Sequence, residues 1–515
     1  MTCDETTDQS EVVAFLKSPA SWPSRPASVD VIETHGAMVF LAGTEVLKVK
    51  RAVKLPYLDF STLGARRHFC QREIEINGGA ASGLYRGCVP MTREASGRLA
   101  IGGAGDPVEW AVHMHRFEQD RLFCNIVRHG GVPIPLAEAL ADAVFKYHCA
   151  APVAADDRTA ETAEGVLTSL SRFASGPASQ AIRPLRALVE TQLSRSASVR
   201  SARASSGRIR RCHGDLHLAN IVVWHDVPVL FDALEFDEDL ATIDTLYDLA
   251  FLIMDLARHD AALAANTVLN RYLWRSKDLL DIEGLAALPL YLGLRAAIRA
   301  LVAFDRAEAC AGEGESIYAH AIKTLELARK NLSPPGGRLV AVGGLSGTGK
   351  TTLARALAPC IGATPGALLL RTDLERKALA GLEPAERLPP PAYTREASRA
   401  VYERITARAE AALRSGHSVI LDAVFADPSE RSDAEMLASR LGVPFAGLWL
   451  EGRPEALKTR VAERRNDASD ATPEIVDQQL RYDTGAITWH RIDASGSVEQ
   501  TLTQAALVLE GNDSL

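Results

Sequence analysis

The sequence predicts two domains of different class: an α+β domain, with a β-rich small lobe ahead of a helical lobe, then an α/β domain built on a parallel sheet. Three observations predict this. Strand patterns crowd the first part of the chain and helical patterns dominate residues 136–332. The run Ser333-Pro334-Pro335-Gly336-Gly337 then ends a long helical stretch with two prolines and two glycines, which stop helices and make linkers. Beyond it, short apolar strands alternate with helical patterns, the order that parallel strands require.

Taken in order, residues 1–30 form an N-terminal extension, 31–125 the small lobe, 126–332 the helical lobe, 333–337 the linker and 338–515 the second domain. In the small lobe, strand patterns at 37–41 and 45–50 flank Ala42-Gly43-Thr44, a hairpin signal. Residues 62–77 have helical spacing, with Leu63, Phe69 and Ile76 among the apolar positions, and 110–117 reads as a strand. The stretch 195–206 is rich in Ser, Ala and Arg and reads as a loop or a frayed helix end. In the second domain, strands are expected at 338–342, 367–370, 418–421 and 445–450, with 489–493 as a further strand or core segment.

Composition narrows the class. The chain has 515 residues, 47% hydrophobic and 24% charged, with a net charge of −8. A protein-wide attraction to nucleic acid or to an anionic membrane is therefore not expected. The 8 cysteines show no Cys-x-x-Cys spacing, so reduced thiols are the expectation rather than zinc or a disulfide framework. With no apolar leader and no membrane-length apolar run, a cytoplasmic protein is expected.

Chemistry concentrates at two places. The first is His213-Gly214-Asp215-x-His217-x-x-Asn220, followed by Asp232. Strand patterns at 221–224 and 229–231 would form a short hairpin that brings Asn220 and Asp232 together as hard oxygen ligands for Mg²⁺. Asp215 would accept the proton of an acceptor hydroxyl, with His213 and His217 bracing the loop. Upstream, Lys48 is the preferred phosphate-side lysine and Glu73 its partner on the following helix. Alternation puts Lys48 and Lys50 on one face, so Lys50 and Glu75 stay open as rivals.

These residues resemble the aminoglycoside phosphotransferase (APH) and choline kinase branch of the protein-kinase-like fold, and Tyr247-Asp248-Leu249-Ala250 matches its structural Asp-Leu-Ala segment. The resemblance implies a bilobal APH-like kinase domain over 31–332, with Lys48 and Glu73 on the ATP side, Asn220 and Asp232 on Mg²⁺, and Asp215 and Asn220 as catalytic residues. The chain departs from the pattern where Glu33-Thr34-His35-Gly36-Ala37 replaces a full glycine-rich loop. Arg295 and Arg299, one helical turn apart, could face an anionic substrate or acidic neighbours.

The second place is Gly344-Leu345-Ser346-Gly347-Thr348-Gly349-Lys350-Thr351, between an apolar strand and a helix opened by Thr352. Glycines let backbone N–H groups converge on phosphate oxygens, Lys350 reaches the β- and γ-phosphates, and Thr351 ligates Mg²⁺. Asp422, at a strand end, is the second metal-side acid. Asp373 and Arg376, after the second strand, lie at the carboxyl edge where open α/β sheets bind ligands; a helix N-cap is the competing role for Asp373. Arg460 and Arg464, four apart on one helix face, would reach the transferring phosphate from a lid. This domain resembles the gluconate kinase, zeta toxin and polynucleotide kinase neighbourhood of P-loop NTPases. That implies Asp373 as the acceptor-activating acid and Arg376 as its anion-holding partner.

The pairing resembles a bacterial family of fused predicted kinases. It implies an ATP- and Mg²⁺-dependent, bifunctional phosphotransferase with hydroxyl-bearing small molecules as acceptors. The alternatives are nucleotide binding without phosphotransfer in one domain, or RNA-end phosphorylation by the second.

Overall fold

The structure is a computed structural model describing residues 8–55, 58–309, 314–463 and 468–511. Two compact units emerge. The first comprises the chain up to Val132 together with Lys146–Asp156 and Gly207–Leu249; the second comprises Pro133–Phe145, Asp157–Ser206 and Ala250 onward. Residues 333–337 lie inside the second unit, because the helices before them group with the sheet after them. In fold the chain combines an α+β part built on an antiparallel sheet with an α/β part built on a parallel sheet.

The first unit is built on a six-stranded antiparallel sheet. Its order is Val29–Glu33, Ala37–Ala42, Glu45–Lys50, Asp106–His115, Tyr85–Arg93, Leu99–Ile101. The expected hairpin is present, with Ala42 opposite Glu45 and Gly43 at φ 59°, a left-handed value that glycine adopts without penalty. Alternation along Glu45–Lys50 sends Leu47 and Val49 into one core with Phe40, Met91 and Ala111. It sends Val46 toward the other, which holds Cys70 of helix Leu63–Asn77. Thr62 caps that helix, its hydroxyl accepting the Ala65 N–H at 3.1 Å.

The N-terminal extension is part of this core. Helix Ser10–Lys17 buries Val12 and Leu16 beside Trp22 against the sheet. Gln9 fastens it, its side-chain amide donating to the Lys50 carbonyl at 2.8 Å and to Glu109 at 2.7 Å.

The second unit contains a five-stranded parallel sheet ordered Leu368–Arg371, Val419–Asp422, Leu339–Gly343, Phe445–Glu451, His490–Asp493. Leu368–Arg371 is an edge strand, whose free backbone groups need partners. Helix Ala262–Ser276 supplies them: Leu369 N–H donates to Asn270 Oδ1 at 2.6 Å, and Asn266 Nδ2 donates to the Ala367 carbonyl at 3.0 Å. Helices Leu288–Ala309 and Gly314–Leu332 approach closely at Gly293, where a Cβ would meet Leu332 Cγ at 2.5 Å.

Of the two expectations for 195–206, the structure gives the helix end and not the loop, since the stretch closes helix Leu185–Ser205. Its arginines are spent on tertiary partners, Arg203 lying fully buried against Asp281 at 2.8 Å and Arg200 pairing with Asp157. Among the described residues no single helix is long and apolar enough to cross a membrane.

Candidate active sites

In the first unit, period-2 alternation sends both Lys48 and Lys50 toward Glu73, which is fully buried on its helix. Lys48 Nζ lies 3.0 Å from Glu73 Oε1 and also pairs with Asp232; Lys50 Nζ lies 2.8 Å from Glu73 Oε2 and pairs with Glu235. The two lysines are not equivalent. Lys48 keeps 13% side-chain exposure beside half-open Asp232, whereas Lys50 keeps 1%. Glu75 faces away and pairs with Arg72 at 3.1 Å.

Charge balance explains how five ionisable groups share this space. Burial opposes ionisation of Glu73, yet Lys48 and Lys50 hold its carboxyl down at about 2. Burial likewise opposes a charged Lys50, and the Glu235 and Glu73 carboxylates overcome it and raise its pKa. Glu235 is pushed up, first by burial. Sequence reasoning missed Glu235; only its position three residues after Asp232 hints at it.

The loop Cys212–Asn220 hangs from Asp248. That fully buried carboxylate accepts N–H bonds from His213 at 3.1 Å and Gly214 at 2.9 Å, and lies 3.0 Å from His148 Nε2. His148, Cys212 and Asp248 sit within metal-ligating reach of one another, but the Asp248 oxygens serve the loop. His213 braces the segment that leads to Asp232 through Nε2 at 2.9 Å from the Phe231 carbonyl, and burial lowers its pKa, favouring the neutral ring.

Asp215 is oriented from two sides. Asn220 Nδ2 donates to its carboxylate at 3.1 Å and to its carbonyl at 3.0 Å. His217 Nε2 lies 3.3 Å from the carboxylate while its Nδ1 accepts the Ala219 N–H. The hairpin Ile221–Trp224 and Val227–Leu230 pairs Ile221 with Leu230, so Asn220 and Asp232 flank the same end. Asp232 has φ 59°, an uncommon left-handed value for a non-glycine, held by the Tyr85 hydroxyl, which accepts its N–H at 3.1 Å. Asn220 and Asp232 offer the hard oxygens that suit Mg²⁺.

In the second unit, strand Leu339–Gly343 turns through the glycine loop into helix Lys350–Leu357. Gly344, Gly347 and Gly349 have φ of 134°, 87° and 88°. A Cβ at Gly344 would meet the Leu450 carbonyl at 2.5 Å, so the loop needs glycine for space as well as for backbone angle. Lys350 Nζ donates to the Leu345 carbonyl at 3.0 Å, and Thr351 Oγ1 donates to Asp422 Oδ2 at 2.6 Å. The hydroxyl and carboxylate form a hard-oxygen pair that fits Mg²⁺. Arg371, missed from the sequence, backs them, its guanidinium 3.4 Å from Asp422 Oδ2 and 3.5 Å from Thr351 Oγ1.

Lys350, Thr351, Asp422, Asp373 and Arg376 line one cleft of about 850 Å³. Asp373 stands in the first turn of helix Thr372–Ala380, whose N-cap position is Arg371, so Asp373 is not the cap. Arg376 stacks on Tyr393 and donates to the Ala392 carbonyl at 2.7 Å. Among the other loop residues Ser346 also lines the cleft, while Thr352 does not. Arg460 turns away, donating to the Ala494 carbonyl at 2.9 Å, and Arg464 lies outside the described residues. Arg295 and Arg299 lie over the Phe251 ring, at 4.8 and 5.9 Å.

Comparison with known proteins adds the relatives. A family model of the AAA domain matches residues 339–484. A choline/ethanolamine kinase family protein from Mesorhizobium loti shares 14% identity, covering 62% of this chain and 94% of its own, at a TM-score of 0.39. A gluconokinase from Sinorhizobium meliloti 1021 shares 20% identity over 35% of this chain and 97% of its own, at a TM-score of 0.25. With 31% identity over 498 residues, spanning 93% of this chain and 94% of each relative, the chain belongs to the same family as "Uncharacterized protein Rv2004c" of Mycobacterium tuberculosis and "Uncharacterized protein Mb2027c" of Mycobacterium bovis.

Proposed function

We propose that the chain is a phosphotransferase with two ATP·Mg²⁺ sites, each passing the γ-phosphoryl group to the hydroxyl of a small molecule. The observation that carries this reading is the convergence of Lys350, Thr351, Asp422 and Asp373 on one cleft. A nucleotide switch needs the first three, whereas an acceptor-side carboxylate serves only transfer. The first site has a parallel set in Lys48, Asn220, Asp232 and Asp215.

ATP with Mg²⁺ supplies the phosphoryl group and the positive charge that offsets the developing negative charge. At the first site, Asn220 and His217 would hold Asp215 to take the acceptor hydroxyl's proton as that oxygen bonds the γ-phosphorus and the bond from it to the β-phosphate oxygen breaks, with ADP leaving. Lys48 would exchange its contact with Asp232 for phosphate oxygens, while Glu73 keeps the ammonium in place. At the second site, Asp373 plays the proton-accepting part and Lys350 steadies the phosphate chain. Asn220 with Asp232, and Thr351 with Asp422, would hold the metal.

One observation favours a narrower role for the first site. The turn at Thr34–Ala37, where a glycine-rich loop would cover phosphate, is closed on itself by Thr34 N–H donating to the Ala37 carbonyl at 2.9 Å. On that reading the first site binds nucleotide without transferring phosphate.

The test is a metabolite-library phosphorylation screen on wild type, Asp215→Ala and Lys350→Ala. Each variant is expected to lose one set of products, by a thousandfold or so, and keep the other. Full turnover of every accepted substrate by both variants would refute the site assignment.

A further inference from the structure

The phosphate-cradling loop of the second site carries a donor that is already occupied. Ser346 N–H donates to Gln479 Oε1 at 2.7 Å, and each residue is only 8% exposed. Gln479 is the last residue of helix Pro473–Gln479. That helix does not touch the loop through this bond alone. Its Val476, fully buried, packs with Leu457 and Val461 of helix Pro454–Ala462 and with the loop's own Leu345. At Gly347 the approach is so close that a Cβ would meet the Leu457 carbonyl at 2.5 Å. The helix pair is therefore seated on the loop, with Ile475, Gln478 and Gln479 turned into the cleft that holds Lys350.

Backbone N–H groups of such loops are the donors that receive phosphate oxygens. A carboxamide oxygen and a phosphate oxygen are both acceptors, and one N–H cannot point at both. We propose that Gln479 is a nucleotide-displaced latch: its side chain stands in for a phosphate oxygen on Ser346 and fastens the helix Pro473–Gln479 to the loop until nucleotide takes the donor. This rests on the reading of the loop as an ATP site. The residue is a positioning group and is given no part in the chemical step. Its work is to couple arrival of the phosphate to release of the helix that walls the acceptor cleft.

The coupling has a measurable sign. With Gln479→Leu the Ser346 N–H is buried without an acceptor in the free protein, and bound phosphate restores one. The variant should melt lower than wild type when free and at the same temperature when saturated. Its affinity for nucleotide should rise about fivefold or more, the worth of roughly one hydrogen bond. Gln479→Glu keeps an acceptor and adds a negative charge facing the phosphate, so it should bind about tenfold or more weakly.

The experiment titrates the full chain with a non-transferable ATP analogue and Mg²⁺, in a Lys48→Met background that silences the first site, beside a Lys350→Ala control. If the background protein binds no analogue, or Lys350→Ala binds it equally well, the ATP-site reading itself fails and the latch with it. If binding depends on Lys350 but Gln479→Leu binds no tighter, or stays destabilised at saturation, the site stands and the latch is overturned. Gln479→Ser, too short to reach Ser346, gives the same readouts should the leucine variant not fold.

Discussion

The residue that organises the first site is Glu73, because it holds two lysines at once. Lys48 is left facing Asp232, while Lys50 is sealed in with Glu235. A sealed pair is expensive to break and cheap to replace whole, since the cost lies in stranding one buried charge. Glu235→Ala should lower unfolding free energy by about 2–3 kcal/mol, and Lys50→Met with Glu235→Leu should recover most of it. Urea denaturation of the two proteins checks this; a single variant as stable as wild type would show that Lys50 has no need of Glu235. The sequence ambiguity between Lys48 and Lys50 has the same physical root. Period-2 alternation gives both the same face, and only the long-range positions of Asp232 and Glu235 tell them apart. Gln479 and Arg371 were illegible for that reason too, since Gln479 meets the loop across 133 positions and nothing local marks it.

At the scale of elements, the edge strand Leu368–Arg371 leads directly into the helix that carries Asp373 and Arg376. On its outer side the Leu369 N–H, and the Ala367 carbonyl just before the strand, are met by two asparagine side chains one helical turn apart. Asn270→Leu strands the Leu369 N–H and should cost about 1–3 kcal/mol. It should also speed amide exchange along 367–371 relative to the neighbouring strand Val419–Asp422. Unchanged exchange there would mean that the clasp does not hold the strand. Elements with a clear period were legible: the hairpin around Gly43 and the first four parallel strands in chain order follow their apolar patterns, whereas helix Leu63–Asn77 buries Arg66, Cys70, Glu73 and Asn77 and strand His490–Asp493 buries Ile492 alone. The end of helix Leu185–Ser205 was not, because its arginines offer no apolar face and gain their order from Asp157 and Asp281. Helix Ser10–Lys17 is equally hard to read, because it spans only 8 residues and the sheet covered by its Val12 and Leu16, with Val13 and Phe15 packed alongside, lies later in the chain.

For the whole molecule, the chain carries two separate constellations suited to phosphate chemistry, one in each compact unit. The central claim is that both hold nucleotide. The direct measurement is the stoichiometry of a non-transferable ATP analogue bound per chain, with Mg²⁺, by equilibrium titration of wild type, Lys48→Met and Lys350→Ala. The account predicts two analogues bound by wild type and one by each variant. A single analogue bound by wild type, abolished by Lys350→Ala and untouched by Lys48→Met, would contradict it.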